Sequence, residues 1–262
     1  MKGIELAESW RPAASRAGRI AAAALAVALL APGLGQAAEC VARPELLDLG
    51  TVLPKTRAAI ELTKEVDIVA LGSSSTEGYG ASTRLRTYPA ELLRALSLLF
   101  PGARVNVLNK GIGGQQVDAM LERLDRDVFP ETPDLVIWQL GTNAALRRYN
   151  IDSFRRLVAE GVDRMRSRGI EVILMTPQYA PAVLALPNEE EYLDAIATVA
   201  RERGVGLFDR FGIMKEWFDR EQMAYAEFLV RDGLHLNDFG YQCIGRLMAQ
   251  AIEQAIEQAV RR

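Results

Sequence analysis

Residues 67–78 read DIVALGSSSTEG, an apolar run of strand length that ends abruptly in glycine, serine and threonine. Such a run, bounded on one side by small turn residues, reads as a strand covered on both faces that stops at the edge of a sheet. Working outward, the same pattern recurs as VNVL (105–108), DLVIWQL (134–140) and EVILM (171–175), with a weaker fifth run around 205–208. Segments of helical period lie between them, near 88–100, 116–124, 153–167 and 189–203. A last helix is expected over about 241–260, where Ile244, Leu247, Met248, Ala251, Ile252, Ala255 and Ile256 make one apolar stripe. Strands alternating with helices predict an α/β domain with a five-stranded parallel sheet. Residues 38–65 read as a lead-in helix or loop, and no repeat or long linker interrupts the chain after them.

In an open parallel sheet, ligands sit beyond the carboxyl ends of the strands. That rule, with the turn before the last helix added, selects four segments. The first is Gly72-Ser73-Ser74-Ser75-Thr76-Glu77-Gly78, whose small side chains would leave a serine Oγ accessible to an acyl group, although such clusters also make ordinary turns. Its residues do not decide which of Ser73, Ser74 and Ser75 would attack. The second, Asn109-Lys110-Gly111-Ile112-Gly113-Gly114-Gln115-Gln116, offers backbone N–H groups to a phosphate or to an oxyanion. The phosphate reading is the weaker, because the third glycine of a dinucleotide fingerprint would fall at Gln116 and the loop follows the second strand. The third is Gly141-Thr142-Asn143, an amide that either enters the cleft or caps a helix. The fourth, Asp232-Gly233-Leu234-His235, holds the only histidine of the chain, with an aspartate three residues earlier able to orient its ring.

Composition narrows the function classes. The chain has 262 residues, 49% hydrophobic and 25% charged, as in an ordinary globular protein. Its first 37 residues read as an export signal: a basic arm (Lys2, Arg11, Arg16, Arg19), an unbroken apolar run from Ile20 to Leu30, and Gly35-Gln36-Ala37 as a cleavage site. The stretch 20–34 falls short of the roughly 20 residues of a spanning helix, and Glu39 before Cys40 argues against a lipoprotein signal. A periplasmic or secreted product with no stable membrane insertion is expected. Cleavage removes four basic residues and two acidic ones (Glu5, Glu8), taking the formal charge from −3 to −5, which makes nucleic acid an unsuitable partner. A zinc site is not expected around one histidine and scattered carboxylates. Cys40 and Cys243 are either a disulfide formed in an oxidising compartment or two unrelated thiols. Cys243 is also an alternative, thiol nucleophile for His235.

Taken in order, the four segments resemble the blocks of the SGNH (GDSL-like) hydrolase superfamily, in which Ser, Gly, Asn and His come from four separate loops. The resemblance runs from about residue 67 to the C-terminus and covers residues 66–262 as one hydrolase domain. It implies a flavodoxin-like three-layer α/β/α fold and ester hydrolysis or acyl transfer without metal or organic cofactor. Position by position it makes Ser74 the nucleophile, His235 the base and Asp232 its orienter. It assigns the oxyanion hole to Ser74, Gly111 and Asn143. Two positions depart from the family: its Gly-Asp-Ser reads Gly72-Ser73-Ser74, and its Gly-x-Asn-Asp ends in Ala144. Neither changes the attacking atoms, but both mark a distinct subgroup. Gln178 and Tyr179, after the fourth strand, either contact substrate or form a rigid turn with Tyr179 packed on the surface, and Glu77 and Tyr79 beside Ser74 carry the same two readings. Export suggests O-acetyl carbohydrate as substrate. Lipid esters, acyl thioesters, acyl transfer and a non-catalytic glycan-binding role are the alternatives.

Overall fold

The computed structural model describes residues 40–261; the expected leader, residues 1–37, lies outside the described residues. The five expected strands are present as β1 (Glu65–Gly72), β2 (Arg104–Gly111), β3 (Leu135–Gln139), β4 (Glu171–Met175) and β5 (Gly206–Phe208). All neighbours pair in parallel, in the order β2-β1-β3-β4-β5. The main helices are α1 (Tyr88–Leu99), α2 (Val117–Glu122), α3 (Ile151–Arg166), α4 (Glu189–Arg203), α5 (Arg210–Asp219) and α6 (Asp238–Arg261).

Side chains two apart along a strand share a face. Ile68 and Ala70 of β1 therefore join Leu135, Ile137, Ile173 and Met175 in one core, against α1, α5 and α6. Val69 and Leu71 join Val136, Trp138, Val172 and Leu174 in a second core, against α2, α3 and α4. This is the three-layer α/β/α arrangement, and it explains why the strands read as continuous apolar runs. Right-handed crossovers account for which helix covers which face. The connection from β1 to β2 runs toward one edge with α1 on one side. Those from β2 through β5 run toward the other edge with their helices on the opposite side. The direction reverses between β1 and β3, and a crevice opens beyond their carboxyl ends.

Local signals explain most helix boundaries. Asn150 caps α3 by accepting from the Ser153 N–H. Three glutamates open α4, Arg201 and Arg203 close it, and Gly204 follows in the left-handed conformation. At Gly161, α3 lies so close to the sheet that a Cβ would fall 2.4 Å from the Trp138 ring. The lead-in, as far as it is described, contains short helical segments, Pro44–Leu47, Pro54–Ala58 and Ala59–Thr63. The second is fixed at the start of β4 by Glu171, which accepts from the Lys55 and Thr56 N–H groups. Cys40 is bonded to Cys243 in α6, across 203 positions of sequence. A loop of that length corresponds to about 5 kcal/mol in the chain-entropy account.

Candidate active site

Ser74 follows β1 directly, in a tight turn (Ser74–Glu77). Gly72 is required here, since a Cβ would sit 2.1 Å from Thr76 Oγ1. The three serines separate clearly. Ser73 is buried and gives both its N–H and its hydroxyl to Gln139 Oε1, at 2.9 and 3.0 Å. Ser75 is buried as well. Ser74 is half-buried, and its Oγ lies 2.8 Å from His235 Nε2. Its N–H, at the start of the turn, has no acceptor among the described residues.

The histidine turn is largely self-supporting. Asp232 Oδ1 accepts from the N–H groups of Leu234 and His235, both at 2.9 Å, which leaves Oδ2 to meet His235 Nδ1 at 2.7 Å. Burial alone would push the Asp232 carboxyl up; hydrogen bonds from the His235 backbone, its ring and the Leu234 N–H outweigh this and hold it below the usual carboxylate range. The ionised carboxylate fixes the tautomer with its proton on Nδ1, so that Nε2 presents a lone pair to Ser74. The turn hangs from a narrow antiparallel contact, Leu229 against Leu236, with Val230 N–H donating to the His235 carbonyl at 2.9 Å. Tyr79, 61% exposed, covers the imidazole with ring centroids 4.5 Å apart.

Beyond β2, the glycine loop corrects one expectation. The N–H of Gly111 donates to Asn109 Oδ1 at 2.9 Å and is not free to meet an oxyanion. Glycine is needed at that position for another reason: a Cβ would lie 2.0 Å from the Glu77 backbone nitrogen. The N–H groups of Gly113 and Gly114 have no acceptor among the described residues. Gly113 lies near Ser74, its would-be Cβ 3.9 Å from Ser74 Cβ. Asn143, which follows β3, reaches the same loop and donates from Nδ2 to the Gln115 carbonyl at 2.9 Å, with a second amide hydrogen to spare. Arg123 locks the loop from beneath, bonding Gln115 Oε1 at 2.7 Å and the Gly72 carbonyl at 3.1 Å.

Two further expectations are revised, at Gln178 and Cys243, while Tyr179 is half-buried. Gln178 is 0% exposed and cannot touch substrate in this conformation. Tyr179 packs edge-on against Phe211, 5.2 Å between centroids, in a cluster with Phe218 and Tyr225. Cys243 is fully buried and bonded to Cys40, which removes the thiol nucleophile. Gln139, Asn109, Arg123 and Arg210 escaped the sequence reading. A glutamine inside the run LVIWQL was the available signal, because a polar side chain in a doubly covered strand must find partners.

Residues 39–258 match the non-GDSL lipase-like family. An acetylxylan esterase of Geobacillus stearothermophilus is 26% identical over 199 residues, 71% of this chain and 90% of that protein. An arylesterase of Vibrio mimicus is 25% identical over 185 residues, 71% of this chain and 87% of its own. Among solved structures, a lipase/acylhydrolase from Enterococcus faecalis superposes with a TM-score of 0.61 at 26% identity, covering 71% of this chain and 95% of that one. A two-domain esterase active on acetylated mannans shares the fold, with a TM-score of 0.67 at 18% identity; the match covers 80% of this chain and 56% of that one. With a serine, a histidine and an aspartate in hydrogen-bonded sequence at the switch point of a five-stranded parallel sheet, this chain belongs to the non-GDSL lipase-like family and is an ester hydrolase of the SGNH type.

Proposed function

We propose that this protein is an exported serine esterase that removes acetyl groups from O-acetylated carbohydrate. The observation that carries the reading is the unbroken contact sequence Ser74 Oγ, His235 Nε2, His235 Nδ1, Asp232 Oδ2, at 2.8 and 2.7 Å. Ser74 Oγ attacks the ester carbonyl carbon as its proton passes to His235 Nε2, and Asp232 stabilises the imidazolium. The tetrahedral oxyanion is met by the N–H of Ser74, the spare amide hydrogen of Asn143 and a backbone N–H from the glycine loop. We assign that last donor to Gly114, half-buried and next to the Gln115 that Asn143 holds. Collapse breaks the bond to the sugar oxygen, which leaves with the proton from His235. Water then attacks the acetyl-Ser74 carbonyl, gives its proton to His235, and acetate departs as Ser74 Oγ regains the proton.

Relatives described as acting on acetylated polysaccharides support the acetyl-carbohydrate substrate. The N-terminal leader pattern supports export, cleavage falling after Ala37 and leaving residues 38–65 as a lead-in to the hydrolase domain. A pairing of Cys40 with Cys243 suits an oxidising compartment. Among the described residues no helix is long and apolar enough to cross a membrane. The test is acetate release from acetylated xylan, acetylated mannan, a short-chain aryl ester and an acyl thioester, compared at equal enzyme. Acetylated glycans are expected to give the highest kcat/KM. Preference for the thioester or for long-chain lipid esters would overturn the substrate, and binding without turnover would overturn the enzyme reading.

A further inference from the structure

A buried amide connects the two sides of the cleft. Gln178 Oε1 accepts from Thr142 Oγ1 at 2.9 Å and from Arg210 Nη2 at 2.8 Å, while Nε2 donates to the Leu234 carbonyl at 3.1 Å. Thr142 immediately precedes Asn143, and Leu234 immediately precedes His235. One side chain therefore spans the residue before the oxyanion amide and the residue before the base. Its loop reinforces the link, since Ala182 N–H donates to the Gly233 carbonyl at 3.1 Å.

The amide has a single workable orientation. A guanidinium only donates and a carbonyl only accepts, so a flipped Gln178 would set its NH2 against Arg210 and its oxygen against Leu234. Arg210 enforces the choice. It is fully buried, has no carboxylate partner among the described residues, and is anchored through Nε to the Thr176 carbonyl at 3.0 Å. Burial pulls its pKa down to about 10, with Tyr88 and Tyr241 acting in the opposite sense, so it remains a cation at neutral pH. An unpaired buried cation is expensive to keep, and here it does what an apolar side chain of the same size could not.

We infer that Gln178, oriented by Arg210, is a positioning residue that sets the distance between His235 and Asn143, so that base and oxyanion donor address one carbonyl. The inference rests on the functional reading above. Gln178→Glu keeps the acceptor for Thr142 and Arg210 but presents a second acceptor to the Leu234 carbonyl, and Gln178→Met removes both functions at nearly constant volume. A displacement of about 1 Å can cost roughly 100-fold in rate, so both variants are expected to lose about 10- to 100-fold in kcat per titrated active site, with KM within about twofold.

A second readout does not depend on turnover. His235 is the only histidine, so its ring-proton and ring-nitrogen resonances appear without competitors. The low-field signal of the Nδ1 proton shared with Asp232 is expected to shift in both variants. Arg210→Lys keeps the charge but can hold only one of the two contacts. It is expected to lower kcat less, in the same direction, and it carries the test if the Gln178 variants fail to fold. Unchanged kcat and unchanged histidine signals in a folded variant, whatever its melting temperature, would overturn the inference and leave the functional reading intact. A wild type without esterase activity would overturn the functional reading, and the histidine signals would then decide the positioning role alone.

Discussion

Asp232 and His235 lie three residues apart in one turn and bond each other directly, whereas Ser74 is held through Gln139, 65 positions away, which fixes Ser73 and Thr76 on either side of it. The glycine loop is likewise secured from outside itself, by Arg123 below and Asn143 opposite. Asp232 and His235 thus bond each other within one turn, tied from outside at its Gly233 and Leu234 carbonyls, whereas the supports of Ser74 and of the glycine loop are tertiary. Damage within the turn should show as lost chemistry with the fold intact. Damage to the supports of Ser74 should show in both.

The sharpest break is Ser74→Ala or His235→Ala, each expected to cost about 10⁵- to 10⁶-fold in kcat, since the members of such a unit fail together. Ser73→Ala, by contrast, should lower the melting temperature and retain activity within about tenfold, because Ser73 only ties the turn to Gln139. Steady-state kinetics with thermal melts on the three variants separates the cases. Equal losses at Ser73 and Ser74 would erase the distinction between attacking and supporting serines.

Asp232→Asn comes next. The amide oxygen can still accept from the backbone of the turn, but its NH2 faces Nδ1 and favours the wrong tautomer, so kcat should fall by about 10³- to 10⁴-fold with little change in stability. A large loss of stability would show that the turn is less self-contained than its hydrogen bonds indicate. Asn143→Ala should cost about 10²- to 10³-fold, the usual worth of one oxyanion donor. It should also loosen the glycine loop, seen as faster amide exchange over 112–116. A purely kinetic effect would mean that the Gln115 contact is dispensable.

The smallest expected effect is one of pH. Asp127, held to about 2 chiefly by its hydrogen bond from Arg126 and also by Arg123, is the charged partner of the residue that locks the glycine loop. Its folded value lies below its ordinary one. Its stabilising contribution is therefore complete above about pH 4 and is lost as pH falls toward 2. Urea melts across that range should show a loss of stability that Asp127→Asn reduces, and parallel curves for the two proteins would exclude the coupling.

How much of this was legible in the sequence follows the same division. Strands β1, β3 and β4 were readable because they are covered on both faces, β2 at the edge from its short β-rich run, and α3, α4 and α6 because their terminal signals and apolar stripes are local. The pairing of Asp232 with His235 was readable because three residues of spacing suffice. Helix α5 was not foreseen: RFGIMKEWFD carries a glycine early and little helical period, although Asp209, which caps it through the Gly212 N–H, was a usable start signal. Gln178 was read as facing substrate because it follows a strand at the active edge. Only the third dimension supplies Thr142, Leu234 and Arg210 as partners that turn it inward. Gly111 matched by position, yet its N–H is taken by Asn109 two residues earlier, a competition that a motif does not display.

Attack by Ser74, activated by His235, is the proposal on which the rest depends. It is tested most directly by peptide mass spectrometry after reaction with a fluorophosphonate. One adduct is expected, on Ser74, forming in the wild type and lost in His235→Ala. An adduct on Ser73 or Ser75, or undiminished labelling of Ser74 without the histidine, would contradict it.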